Sequence, residues 1–307
     1  MSAVPVLLTC DIHTHGYAPE LVDDDLTAAR TALRAAGLRA TFLFPARAAA
    51  ALAAQLAPLR AEGHEIGCHG LTHAADENFR TLPAARQRAI LAEATAQIEA
   101  LAGVRPVSFR APAYRLGPAT IAALEALDYR ADLSVTSQRL GVFGGDPYHL
   151  GPLFARRRPY HPSPDAPYRA GATRLWELPV SACVLPFVSN TGRVFGERFM
   201  RVFFRALHAE ARATGKPIVF VFHVEDLSPD RPADRRPRLS WRHFVPSPAY
   251  GLQVREFLVE HDWARVAAQT RALLATMARA PGVEVLTASE YCDRLDARSV
   301  VPAGNVC

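Results

Sequence analysis

Short apolar runs alternate along this chain with longer segments in which apolar residues recur every three or four positions. Val4 to Ile12 reads as a first strand and ends abruptly in the polar stretch Asp11-Ile12-His13-Thr14-His15-Gly16. A helix is expected from Asp23-Asp24-Asp25, which supply an N-cap and first-turn negative charge, to Ala36, with Gly37 closing it. Strands follow at Ala40 to Ala46, just before His69, at Pro106 to Arg110, Tyr129 to Val135, Leu175 to Val180, Ile218 to His223 and Val283 to Leu286. Helices fall between them at Ala48 to Ala61, Leu82 to Leu101, Pro118 to Leu127, Glu197 to Ala213, Val254 to Ala278 and Ala288 to Leu295. Strand and helix in alternation imply parallel strands with crossover helices, as a barrel or a doubly wound sheet. No Gly-x-Gly-x-x-Gly follows the first strand, which counts against a dinucleotide fold.

Two stretches break the pattern. Residues 138–172 and 226–249 are rich in Pro and Arg and lack apolar periodicity. They read as long loops on one domain spanning residues 1–307, because alternation resumes after each. The second loop holds Arg231, Arg235, Arg236, Arg238 and Arg242 with Trp241 and His243. A solvated basic loop explains it, and so does a lid whose arginines take an anionic substrate while Trp241 stacks on a sugar face.

Composition narrows the class. Of 307 residues, 50% are hydrophobic and 21% charged, ordinary for a soluble globular protein. No apolar run approaches the roughly eighteen residues of a membrane span. The start, Met1-Ser2-Ala3-Val4-Pro5, has no basic region, so no secretion signal is expected. The 5 cysteines are scattered and mostly lie in apolar runs, which suggests reduced thiols and a cytoplasmic protein. The net charge of +5 is carried almost wholly by arginine, since Lys216 is the only lysine. Aromatics are not interleaved with these arginines, so nucleic-acid binding has little support.

The chemistry lies at the strand ends. Asp11 and His13 end the first strand, His69 and His73 the third, Arg110 the fourth; Asp132 lies on the fifth, and His223 ends the strand at 218–223. Each residue alone is explained as a loop or capping group. In a parallel barrel, however, ionisable groups at successive carboxyl ends converge at one mouth. Two histidines with one further N or O ligand form an open, catalytic type of metal site, suited to a divalent ion such as Zn2+. Asp11 can act as general base, with Arg110 holding it ionised. His223, assisted by Asp132, can protonate a departing amine. The backbone amide of Tyr114 can help bind an oxyanion. Together these groups describe metal-assisted hydrolysis of an amide or ester.

These residues carry a resemblance to the polysaccharide deacetylase (NodB-like) family, carbohydrate esterase family four. Thr9-Cys10-Asp11-Ile12-His13 sits where that family has Thr-Phe-Asp-Asp-Gly, and Ala40-Thr41-Phe42-Leu43-Phe44 matches its second strand. Gly63-His64-Glu65-Ile66-Gly67-Cys68-His69-Gly70-Leu71-Thr72-His73 is similar to its His-x-x-x-His motif, and Phe109-Arg110-Ala111-Pro112-Ala113-Tyr114 to its Arg-x-Pro-x-Tyr motif. Tyr129-Arg130-Ala131-Asp132 and Phe220-Val221-Phe222-His223 resemble its last two motifs. The resemblance implies a distorted (β/α)7-8 barrel and metal-dependent removal of an acyl group, acetyl or formyl, from an amide nitrogen. With no secretion signal expected, the resemblance implies a soluble intracellular substrate: a small N-acyl compound, a nucleotide- or lipid-linked sugar, or a ureide.

One departure matters: the second of the family's paired aspartates is Ile12 here. Some relatives use Asp-x-Asp, and His13 occupies that later position. Residues two apart on a strand face the same side, which favours His13, His69 and His73 as ligands. Asp11 with the two later histidines is the alternative ligand set. Asp11-Ile12-His13-Thr14-His15 also resembles the first-strand motif of the PHP phosphoesterases and amidohydrolases, with His13 and His15 both ligands; that leaves Arg110-Ala111-Pro112-Ala113-Tyr114 unexplained. The missing aspartate also admits a non-catalytic carbohydrate- or glycolipid-binding barrel.

Overall fold

The computed structural model describes residues 3–13, 18–138, 150–232, 238, 240–245 and 255–300. Eight parallel strands form its main sheet. In chain order they are Val4–Asp11, Thr41–Phe44, Glu65–Cys68, Ser108–Phe109, Ala131–Asp132, Trp176–Glu177, Ile218–His223 and Val283–Leu286. The first strand is central. It pairs with Ile218–His223 along one edge, and on the other with Thr41–Phe44 near its end and Val283–Leu286 near its start. From Thr41–Phe44 the sheet continues strand by strand to Trp176–Glu177. The gap back to Ile218–His223 is spanned by short links, a parallel bridge between Val188 and Val221 and the Ser181 amide donating to the Val219 carbonyl at 3.1 Å. The result is an incompletely closed barrel.

The two-residue period sorts the core. Leu7, Leu43, Ala131, Leu133, Leu178 and Val219 form an inner cluster with Ala288, Tyr291 and Cys292 of the last helix. Leu8, Cys10, Ile12, Phe42, Phe44, Phe220 and Phe222 belong to the outer core. Continuing the inner parity of the first strand past Leu7 gives Thr9, Asp11 and His13. Gly67 lies inside beside Leu43; a Cβ there would stand 2.7 Å from Leu43 Cδ2 and 2.8 Å from the Ser108 carbonyl, so no side chain fits.

Several expected boundaries shift for local reasons. The first helix runs Pro19–Ala36 and is closed by Gly37 at φ 65°. Pro19 presets the first helical φ a turn ahead of the acidic triplet, so the aspartates lie in the helix body. Asp25 is buried there against Arg231. The expected helix at 48–61 is two, Ala46–Ala51 and Ala53–Ala61, meeting at Leu52. The expected helix at 254–278 is also two, Arg255–Leu258 and Trp263–Ala278. Asp262 starts the latter by accepting from the Ala264 and Arg265 amides. Ser189–Thr214 begins earlier than expected and kinks at Gly196, where φ is 80°. The closing helix extends to Val300.

Candidate active site

Asp11 and Arg110 form a buried ion pair inside the barrel. Arg110 is 0% exposed and its donors are directed. Nε donates to the Leu133 carbonyl at 2.8 Å, one terminal nitrogen to Asp11, and the other to Thr9 Oγ1 at 2.9 Å. Thr9 Oγ1 in turn donates to the Phe220 carbonyl at 3.1 Å, so the hydroxyl presents a lone pair to Arg110. Burial alone would raise the Asp11 pKa. The Arg110 charge, with smaller help from His69 and His223, outweighs burial and holds this carboxyl below its ordinary value.

Above this pair lies a cluster of imidazoles. One ring nitrogen each from His13, His69 and His73 lie within 4.8 Å of one another. Ring centroids are 4.6 Å apart for His13 and His73, and 4.8 Å for His69 and His73. His69 Nδ1 lies 2.8 Å from the Arg110 carbonyl. Only an N–H can satisfy that oxygen, which fixes the tautomer and leaves Nε2 with its lone pair free for an ion. Burial, the largest influence, lowers the His69 pKa and favours that neutral form. Three imidazole nitrogens converging at this spacing fit a zinc-type divalent ion. One ligand atom each from Asp11, His13 and His223 also lie within 4.8 Å of one another, a second possible ligand set.

His223 faces His13 across the mouth, with ring centroids 4.5 Å apart. Its partner is Asp226, whose Oδ2 lies 3.4 Å from Nδ1 and accepts the His223 backbone N–H at 2.8 Å. Burial works against an imidazolium here. Asp226 first, then Glu225 and Asp11, override it and raise the pKa to about 9.

Two expected roles are corrected. Asp132 does not assist His223. Its Cα is in register with Phe109, an outer-core residue, while Ala131 and Leu133 on either side belong to the inner cluster. Its carboxylate therefore joins Ser134 and Glu177. Ser134 Oγ accepts the Ala111 amide at 2.8 Å, so Asp132 braces the backbone beside Arg110. Burial lifts the Asp132 pKa to about 6, and burial with Asp132 lifts that of Glu177 well above its usual range. Nor is the Tyr114 amide free for an oxyanion, because it closes its own turn on the Ala111 carbonyl at 2.9 Å. The turn puts Ala113 and Tyr114 at φ 53° and 60°, and the Tyr114 ring under the Arg110 guanidinium, 5.6 Å from its centroid.

The basic loop is only partly in view. Arg231 is buried against Asp25 and 5.2 Å from the centroid of the Trp263 ring, so it anchors the loop and does not face a substrate. Trp241 lies in the short turn Trp241–Phe244 and is 72% exposed. Arg235, Arg236, the Arg242 side chain and His15 lie outside the described residues.

Sequence reasoning missed Asp226, Thr9, Glu177 and Glu77. Asp226 had a readable signal, an acidic residue three positions after the strand-end histidine. Glu77 is 6% exposed and accepts from the Leu71 amide at 2.6 Å, the Thr72 amide at 2.7 Å and Thr72 Oγ1 at 2.5 Å.

Residues 4–131 match the polysaccharide deacetylase family model. A peptidoglycan deacetylase-like protein of Gibberella zeae is 39% identical over 74 residues, a stretch that is 24% of this chain and 21% of that protein. Among solved structures, a Mycobacterium smegmatis protein assigned as a polysaccharide deacetylase superposes with a TM-score of 0.64 at 18% identity, covering 100% of this chain and 94% of that one. The Puue allantoinase superposes with a TM-score of 0.60 at 13% identity, covering 97% and 92%. At such identities the structures speak for the fold alone, the distorted β/α barrel of the NodB-like deacetylases. The family match takes in Asp11, His13, His69, His73 and Arg110, so over residues 4–131 the chain is similar to the polysaccharide deacetylase family.

Proposed function

We propose that this chain is a metal-dependent hydrolase that removes an acyl group, acetyl or formyl, from the amide nitrogen of an N-acyl sugar or related small molecule. The observation that carries the reading is one mouth holding three converging imidazoles, a carboxylate paired to a buried arginine, and a carboxylate-backed histidine opposite. The family match and the peptidoglycan deacetylase-like relative support an N-acyl sugar as substrate class.

His13, His69 and His73 would hold the ion. Bound there, a divalent metal supplies Lewis acidity toward the acyl carbonyl and the attacking water. Asp11 accepts the proton of that water. One carboxylate oxygen is engaged by Arg110, which keeps the group ionised and fixes its direction, and the other is left for the proton. The water oxygen bonds to the acyl carbon, the carbon–nitrogen bond breaks, and the departing nitrogen takes a proton from His223. Asp226 keeps His223 charged until that step and orients its ring.

The test is metal content and hydrolysis. The purified protein takes up about one zinc-like ion per chain, and His69→Ala and His73→Ala lose it. Wild type releases acetate or formate from members of an N-acyl sugar panel. Full metal content in both variants would sink the ligand assignment. Stoichiometric metal with no hydrolysis of any N-acyl compound would leave a binding protein instead.

A further inference from the structure

We propose that Glu77 is the positioning residue of the metal site, holding the loop that carries His69 and His73 in its ligating shape. The inference rests on the metal-site reading above. Between those histidines the chain makes a tight excursion, with Gly70 at φ 82° and His73 at φ 63°. A non-glycine residue in the left-handed region needs support from its surroundings. The first turn of the helix Ala46–Ala51 supplies some, since the Ala46 amide donates to the Gly70 carbonyl at 3.0 Å and the Arg47 amide to the Leu71 carbonyl at 2.9 Å.

Glu77 supplies the rest from the other side. Its two oxygens collect the Leu71 amide, the Thr72 amide and the Thr72 hydroxyl. All three donors lie between the histidines. Thr72 Oγ1 then accepts the Ala74 amide at 3.1 Å, which carries the restraint past His73. The carboxylate occupies the space that Gly70 leaves empty, because a Cβ on Gly70 would collide with Glu77 Oε1. Gly70 and Glu77 are therefore one device. Glu77 is itself anchored by its amide on the Ala74 carbonyl at 2.9 Å and by Phe79, which is 0% exposed and packs edge-on against Phe109 at 5.7 Å. A carboxylate that accepts from several fixed donors resists rotation, so imidazoles mounted on those backbone groups keep their spacing without an ion.

The test compares Glu77→Gln and Glu77→Ala with wild type. Ile98→Val serves as a control for general destabilisation, since Ile98 is buried in the outer core on a different element. Zinc affinity is measured by chelator competition, and amide hydrogen exchange at Leu71 and Thr72 is followed in metal-free protein. Glu77→Gln should bind zinc roughly tenfold or more weakly and exchange faster at both amides, while Ile98→Val keeps wild-type affinity. Unchanged zinc affinity in Glu77→Gln overturns the proposal even if exchange quickens, because the restraint is then only structural. Equal loss of affinity in Ile98→Val overturns it too. If wild type takes up no zinc, the metal reading fails by itself. The Glu77 restraint is then judged by the two amides and by the imidazole proton resonances of His69 and His73, and unchanged signals in Glu77→Gln reject it.

Discussion

The Asp11–Arg110 pair makes a quantitative demand on stability as well as chemistry. Asp11→Asn keeps the side-chain shape but removes the only carboxylate that contacts Arg110 through a hydrogen bond among the described residues. Arg110 then keeps two neutral acceptors, Leu133 and Thr9, around a cation that is 0% exposed. Opposite charges in near contact attract by about 4 kcal/mol at an effective dielectric of ~20. Removing one partner of a buried pair costs roughly 3–5 kcal/mol, because the survivor stays buried without compensation. Arg110→Met should cost a similar amount, lessened because Asp11 can then take up a proton. The double variant buries neither charge and should cost less than the sum of the single changes by ~2–4 kcal/mol. Urea unfolding of chelator-treated protein, with the four members of the cycle compared at one pH, measures this coupling. Asp11→Asn should also lower kcat by ~100-fold or more, as expected for a lost general base. Additivity within about 0.5 kcal/mol would refute the pair as a stabilising unit, and with it the account of how Asp11 stays ionised.

Two further predictions follow from neighbouring groups. His64 is 6% exposed, and its Nδ1 accepts the Ala40 amide at 3.1 Å, an arrangement only the neutral ring allows. Burial lowers its pKa from 6.5 to about 4, so its stabilising contribution is complete above the unfolded value and is lost as pH falls from 6.5 toward 4. The loss amounts to ~3 kcal/mol at 1.36 kcal/mol per unit. His64→Asn should flatten that part of the stability-against-pH curve, and parallel wild-type and variant curves would dismiss the argument. His223→Ala should abolish hydrolysis yet retain zinc, measured by metal analysis after dialysis; loss of the ion would make His223 a ligand and void its role as acid.

Most of the barrel was legible because its strands are short, apolar and bounded by glycine, proline or charge. Ile218–His223 was placed to the residue, and Val4–Asp11 within one. The strand-end residues Asp11, His13, His69, His73 and Arg110 were legible for the same reason, since parallel strands deliver their ends to one mouth. Partnerships were less legible. Asp132 sits on a strand of 2 residues, too short to reveal which parity faces inward, and the outward choice removed it from His223. Asp226 and Glu77 act through turns that bring the chain back over three to six residues, where spacing alone does not say which acceptor meets which donor. The acidic triplet Asp23-Asp24-Asp25 misled because Pro19 starts the helix earlier, which turns Asp25 into a buried partner for Arg231.

The departure at Ile12 follows from strand geometry. Ile12 is 0% exposed and belongs to the outer core with Leu8 and Cys10, so a ligand at that position would have to turn through the sheet. Position 13 shares the parity of Asp11 and reaches the mouth without any change in backbone. A neutral imidazole there also changes the charge balance. In the three-histidine reading the ligands bring no negative charge to the ion, and Asp11 is not divided between the metal and Arg110. Arg110 engages one of its oxygens, and a carboxylate oxygen of Asp11 lies within 4.8 Å of a ring nitrogen of His13 and of His223. If Asp11 were itself a ligand, both oxygens would be engaged by cations and its basicity would fall when a base is needed. Restoring an aspartate at the ligand position tests this. His13→Asp should still bind zinc but bring a second carboxylate within reach of Asp11, whereas Ile12→Asp should bind no better than wild type and be destabilised by a charge buried in the outer core. Tighter zinc binding by Ile12→Asp with an intact fold would overturn the parity argument.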